Sequence, residues 1–314
     1  MSSGNSTVSS AEEIVADRAF FFQLNCALIA EAIVIFYEYL ITFDSEIRLV
    51  WSRRITGASV LFFLNRYIML LQNVITVPSF VPISNTACRA LGWMDIILSL
   101  LPYFVWNAFS TLRTYALCGR DRRIPALVCL LLCGPVVANL YNIPYQKPAN
   151  SPPPYNCGVA NSITLAITVV LVSRLSSIAA DAIVISVTWW TTYKIKKTAV
   201  LNNVKTSLVD LLLRDGSVYF CTMLVFNVLH IVVNFAEEVS FMGDIADVIT
   251  SILVSRFIIN LRDLDSRDLL EQSHSGSTAG GTVVFASNLI ESMGAPLERS
   301  SIPIEVGDGD EPET

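Results

Sequence analysis

The chain has 314 residues, 53% hydrophobic and only 15% charged, a balance that excludes an ordinary water-soluble domain and marks a polytopic membrane protein. The net charge of −6 comes from the tail, because residues 273–314 carry seven acids against Arg299 alone while residues 1–272 carry twenty of each sign. Neither part offers the basic face that nucleic acid requires.

Residues 1–15, MSSGNSTVSSAEEIV, lack the basic start and early apolar core of a cleavable signal peptide. They belong to an extracellular segment, 1–19, and the first apolar run is expected to act as an uncleaved anchor. Asn5 heads the sequon Asn5-Ser6-Thr7, a glycosylation acceptor if that end lies outside.

Helix one is expected over about 20–42 and helix two over about 55–76, each near the roughly 20 residues that cross a ~30 Å hydrocarbon core. Arg48, Arg53 and Arg54 between them put that loop on the cytoplasmic side and the amino terminus outside. Glu31 and Glu38, seven residues apart, share a face of helix one. Counted from the cytoplasmic ends, Glu31 and Arg66 both lie ~16 Å deep, which predicts an intramembrane ion pair between them, serving either as a lock for the hairpin or as part of a switch or relay.

Helix three, about 89–114, contains Asp95, Pro102 and Asn107 and ends in Arg113 and Tyr115. Arg113, Arg120, Arg122 and Arg123 place that end inside. Helix four, about 124–143, is followed by the proline-rich outer loop PYQKPANSPPPYNCGVAN, which cannot be helical. Cys88, before helix three, and Cys157, in that loop, both face an oxidising compartment and are expected to pair and tie the loop over the bundle mouth, two free thiols being the alternative. The other five cysteines form no CxxC and read as small apolar residues.

Helix five is expected over about 174–193, the preceding ITLAITVVLVS being either an outer extension or a tilted start. Arg174 and Asp181 share a face, and Asp181 near mid-depth must pair, be protonated or line a wet cavity. The next loop is basic and therefore internal, with Leu201, Val204, Leu208 and Leu211 at helical spacing. It rests on lipid headgroups or docks a cytosolic partner. Helix six, about 216–236, and helix seven, about 244–261, complete a seven-crossing domain over 20–272, followed by a short inner-surface helix, LRDLDSRDLLEQ. Residues 273–314 read as a disordered acidic cytoplasmic tail. The fold class is an all-α, seven-transmembrane-helix bundle, amino terminus outside and carboxyl terminus cytoplasmic.

The inventory argues against an enzyme. With His230 and His274 the only histidines, a three-histidine zinc site cannot be assembled, and no metal or cofactor is expected. No nucleophile elbow, phosphate loop or dinucleotide motif occurs. Every lysine lies outside the expected helix cores, which excludes a retinal Schiff base.

The stretches YEYLITFDSEIRLVWSRR, FFLNRYIMLL, LRTYAL and SILVSRFIINLRDL resemble a large, uncharacterised family of seven-helix membrane proteins from mushroom-forming fungi, whose amino-terminal hairpin is a domain of unknown function. The resemblance covers roughly residues 20–270 and implies a bundle similar in layout to G-protein-coupled receptors. In that comparison Cys88 and Cys157 match the receptors' helix-three-to-loop disulfide, and Arg113 matches their inner arginine. Leu112 stands where those receptors have an acid, helix six has no proline, and helix seven reads VSRFIIN. The expectation is a receptor-like protein of the plasma membrane, with a small extracellular ligand near Asp95, Arg174, Asp181 and Asp247. Its signal would pass through Arg113 and Tyr115 to a cytosolic signalling partner. A small-solute or proton-coupled transporter is the alternative, and the bilayer is a partner in either case.

Overall fold

The computed structural model of the chain describes residues 4–52, 55–119, 121–152, 155–161, 167–201, 221–229, 231–232 and 242–274. The described residues are mostly helical: α1 (Gly4–Glu46), α2 (Gly57–Thr76), α3 (Asn85–Leu117), α4 (Arg123–Asn142), α5 (Ile167–Leu201), α6 (described over 221–229 and 231–232) and α7 (Met242–His274). Among the described residues, five stretches are long and apolar enough to cross a membrane: Arg18–Trp51, Gly57–Phe80, Asn85–Leu117, Arg123–Tyr145 and Leu171–Thr191. The apolar part of α7 carries Asp244, Asp247, Arg256 and Arg262, more charge than a crossing recognised by composition alone tolerates.

Local chemistry sets the helix ends. Thr56 and Ser59 form a reciprocal capping box at the start of α2, each side chain accepting from the other's backbone N–H. Ser84 caps α3 by accepting from the Ala87 amide. At the far end of α3, Gly119 takes a positive φ of 63°, the left-handed turn that closes many helices and that favours glycine.

Several elements differ from expectation. α1 begins at Gly4 and not near 20, and it runs on through a π-helical turn, Ile47–Trp51, so the basic loop of about a dozen residues shrinks to a tight connection before α2. At 1.5 Å per residue α1 is about 65 Å long, twice a hydrocarbon core. Asn5 falls in its first turn; the Asn5 side chain lies outside the described residues. α5 absorbs part of the preceding apolar stretch, and α7 continues unbroken to His274, so no separate inner-surface helix forms there. Beyond a short 3-10 turn, Ile143–Tyr145, the described part of the proline-rich loop is not helical, but it contains an antiparallel hairpin, β1 (Gln146–Asn150) and β2 (Cys157–Asn161), which makes the fold not purely α. The amphipathic segment beyond Leu201 and the tail from residue 275 lie outside the described residues.

The hairpin sits on the start of α3, where two close approaches fix it. Cys88 and Cys157 form a disulfide across 69 residues. Gly92 faces Pro148 so closely that a Cβ there would stand 2.6 Å from the proline Cβ. Away from the hairpin, Leu49, Val50, Phe62, Phe109, Val184 and Phe257 join α1, α2, α3, α5 and α7 in one apolar cluster. Burying each such side chain contributes on the order of 1.5–3 kcal/mol in water; inside a bilayer, close packing and internal hydrogen bonds carry more of the association.

Candidate functional site

The side chains that could do chemistry fall into two groups. The first is a polar network through α1, α2 and α7. Arg66 Nε lies 2.9 Å from Glu46 Oε2, and its Nη2 donates to Thr42 Oγ1 at 2.6 Å and to the Tyr39 carbonyl at 3.1 Å. Glu46, wholly buried, also accepts from Tyr67 Oη and Trp51 Nε1. The expected Glu31–Arg66 pair therefore does not form. Side chains on a helix tilt toward its amino terminus. Because α1 and α2 are antiparallel, Arg66 leans toward Glu46, Glu46 leans back toward it, and Glu31 leans away. The extension of α1 past 42 brings Glu46 into the helix.

Glu38 is held from across the bundle, accepting a two-pronged bond from Arg256 of α7 at 2.6 and 2.7 Å. Arg262 ties the same helix to the α1–α2 junction, donating to the Leu49 carbonyl, Thr56 Oγ1 and Ser59 Oγ. Asn65 is a further junction: its amide donates to Ser251 and Ser255 of α7, and its oxygen accepts from Trp106 Nε1 of α3 at 2.7 Å.

The second group lines a cavity of about 80 Å³ between α3, α4, α5, α6 and α7. Arg174, Ser177 and Asp181 face it from one side of α5, as their spacing requires, and Asp247 faces it from α7. Asp247 accepts from Tyr103 Oη at 2.8 Å, and Asp181 accepts from the Asn227 amide at 2.9 Å. Arg174 stands close enough to Asp247 and Asp244 for their charges to act on one another. Of the four expected ligand residues the cavity thus gathers Arg174, Asp181 and Asp247. Asp95 is not among its lining: it lies two turns before Tyr103, about 80° round the helix, near Gln72 of α2.

Glu31 faces α7 with its Oε1 buried and, among the described residues, without a hydrogen-bond partner; Asp244 and Asp247 are close enough to repel its charge. Arg113 is not presented at a surface. It is only 1% exposed, with its guanidinium 4.4 Å from the centre of the Phe257 ring, and Tyr115 is half-buried. Among the described residues no cluster of His, Cys, Asp and Glu has the grouping a metal ion would need.

Tyr103 and Trp106 of α3 and Asn227 of α6 also line the cavity, beyond the expected ligand residues. A signal was present: Tyr103, Trp106, Asn107 and Ser110 recur at helical spacing and put polar atoms on one stripe of an otherwise apolar helix.

Fold and site together define a mostly helical, multi-pass membrane protein. Over residues 26–71, which include Glu31, Glu38, Glu46 and Arg66, the chain matches a family of unknown function, DUF6533. No curated protein and no solved structure matches.

Proposed function

We propose that the chain is a seven-crossing, receptor-like signalling protein of the plasma membrane, with its hairpin face outside and its carboxyl terminus in the cytoplasm. The observation that carries this reading is a polar cavity, set among five helices and lined by Arg174, Asp181 and Asp247, in a bundle whose hairpin end is tied down by Cys88–Cys157. A disulfide-tethered cover belongs in an oxidising, extracellular setting, and the concentration of Lys and Arg at the opposite end favours the same orientation. Ionisable groups at membrane depth are functional by default. A small extracellular ligand in the cavity would bear on α7 through Asp247, and α7 meets α3 again where Phe257 lies over Arg113. That contact is the proposed route to a cytosolic signalling partner.

Proximity labelling from a carboxyl-terminal fusion, in cells with the natural membrane, tests this. A signalling partner should be labelled by the wild type and lost with Arg113→Ala while the protein is still delivered to the membrane. Unchanged labelling would contradict the route.

A second reading, a small-solute or proton-coupled transporter, is favoured by Glu31, a half-buried carboxyl near Asp244 and Asp247 with one oxygen out of contact with solvent. Solute-dependent proton flux in proteoliposomes that disappears with Glu31→Gln would establish that reading in place of the first.

A further inference from the structure

The charges in the cavity are unevenly matched. On the side of Arg174, one guanidinium acts on two acidic groups, Asp244 and Asp247. Two turns further along α5, Asp181 is only 7% exposed, and its partner is the neutral amide of Asn227, which bonds Oδ2. Among the described residues no Arg or Lys stands beside it. A carboxylate at this depth needs a cation, a proton or water. Asp181 itself lines the cavity.

The surrounding walls narrow the choice of cation. Trp106, Phe109, Phe226 and Met223 line the same space, and aromatic faces and a thioether favour an organic cation with an alkyl body. A bare metal ion, coordinated by oxygens alone, would make no use of those aromatic and thioether faces. The size is also bounded: about 80 Å³ is roughly half of the ~150 Å³ cavity that admits benzene.

We infer that the cavity takes a small primary ammonium cation of a few heavy atoms, its N–H groups on the Asp181 carboxylate and its alkyl part against Trp106 and Phe226. This rests on reading the cavity as a ligand site and names the chemical class of what fills it.

The test uses the full chain in lipid nanodiscs, with the thermal midpoint followed against ethylammonium chloride, sodium chloride and glycine at equal ionic strength. Ethylammonium should raise the midpoint saturably and sodium should not. Asp181→Asn keeps the shape and the Asn227 contact, and it should weaken the apparent affinity by at least about tenfold, the scale of a charge-assisted hydrogen bond. Asp181→Glu keeps the charge and should retain the response, and Asp121→Asn, in the connection between α3 and α4, should match wild type. No saturable response to ethylammonium, or an undiminished one in Asp181→Asn, would overturn the inference. Saturable binding of glycine that depends on Arg174 and Asp247, without an ethylammonium response, would overturn the ammonium assignment while leaving the ligand-site reading standing. Silence toward every probe would count against both.

Discussion

Arg66 and Glu46 form an ion pair between α2 and α1, with 6% and 0% of their side chains exposed. A buried pair of this kind is a poor source of net stability, but losing one member strands the other charge, at a cost of about 3–5 kcal/mol. Arg66→Leu or Glu46→Leu alone should sharply lower the thermal midpoint and the folded yield, and the double replacement should recover much of the loss. Glu31→Leu should leave that pair untouched. A Glu31→Leu variant rescued by Arg66→Leu would mean that the pairing has been misassigned.

Glu38 and Arg256 link α1 to α7, and Arg256 is 47% exposed, so Glu38 is the group that offsets its charge at the bundle's edge. Exchanging the two charges in a double variant should restore stability relative to either single reversal, with a coupling of about 0.5–3 kcal/mol. Additive losses, read from thermal midpoints in nanodiscs, would show that the contact carries no coupling.

The Cys88–Cys157 bond closes a loop of 69 residues. On the chain-entropy account such a closure contributes about 4 kcal/mol. Cys157→Ser should therefore lower the midpoint. Protein nicked by protease between Ser151 and Asn156 should also migrate as one species until it is reduced. Separation of the fragments without reductant would contradict the pairing.

Gly92 and Gly134 allow two close approaches. A methyl at Gly92 would strike Pro148, and one at Gly134 would strike the Ser176 hydroxyl, whereas nothing lies within 4 Å of where a Cβ on Gly158 would stand. Gly92→Ala and Gly134→Ala should each destabilise by about 1–3 kcal/mol through overpacking. Gly158→Ala should be near neutral, and equal effects at all three positions would refute the argument.

Much of the layout could be read from apolar runs and loop charge, because those signals are local. The expected span of α2 and the limits of α3 and α4 lie within a few residues of those observed. What failed was non-local. Nothing between Thr42 and Trp51 stops a helix, since Asp44, Glu46 and Arg48 are compatible with one; polarity alone does not distinguish loop from helix there, and so does not reveal Glu46 as the partner of Arg66. At the site, heptad spacing put Arg174 and Asp181 on one face correctly, because both lie on one helix. Asp95 was assigned by depth alone, and depth does not fix the angle round α3. The bonds of Tyr103 to Asp247 and of Asn65 to α7 span 144 and 186 residues, distances over which periodicity carries no information.

Cysteine accessibility reads directly whether the cavity beside Asp181 is reached from the hairpin face. Ser177, on the cavity side of α5, would be changed to Cys in a chain whose free cysteines, Cys26, Cys118, Cys129, Cys133 and Cys221, are replaced by Ala. A small, membrane-impermeant, cationic methanethiosulfonate would then be added to intact cells. The prediction is modification from outside, slowed by ethylammonium. Modification only when the reagent is admitted to the cytoplasmic side would contradict it.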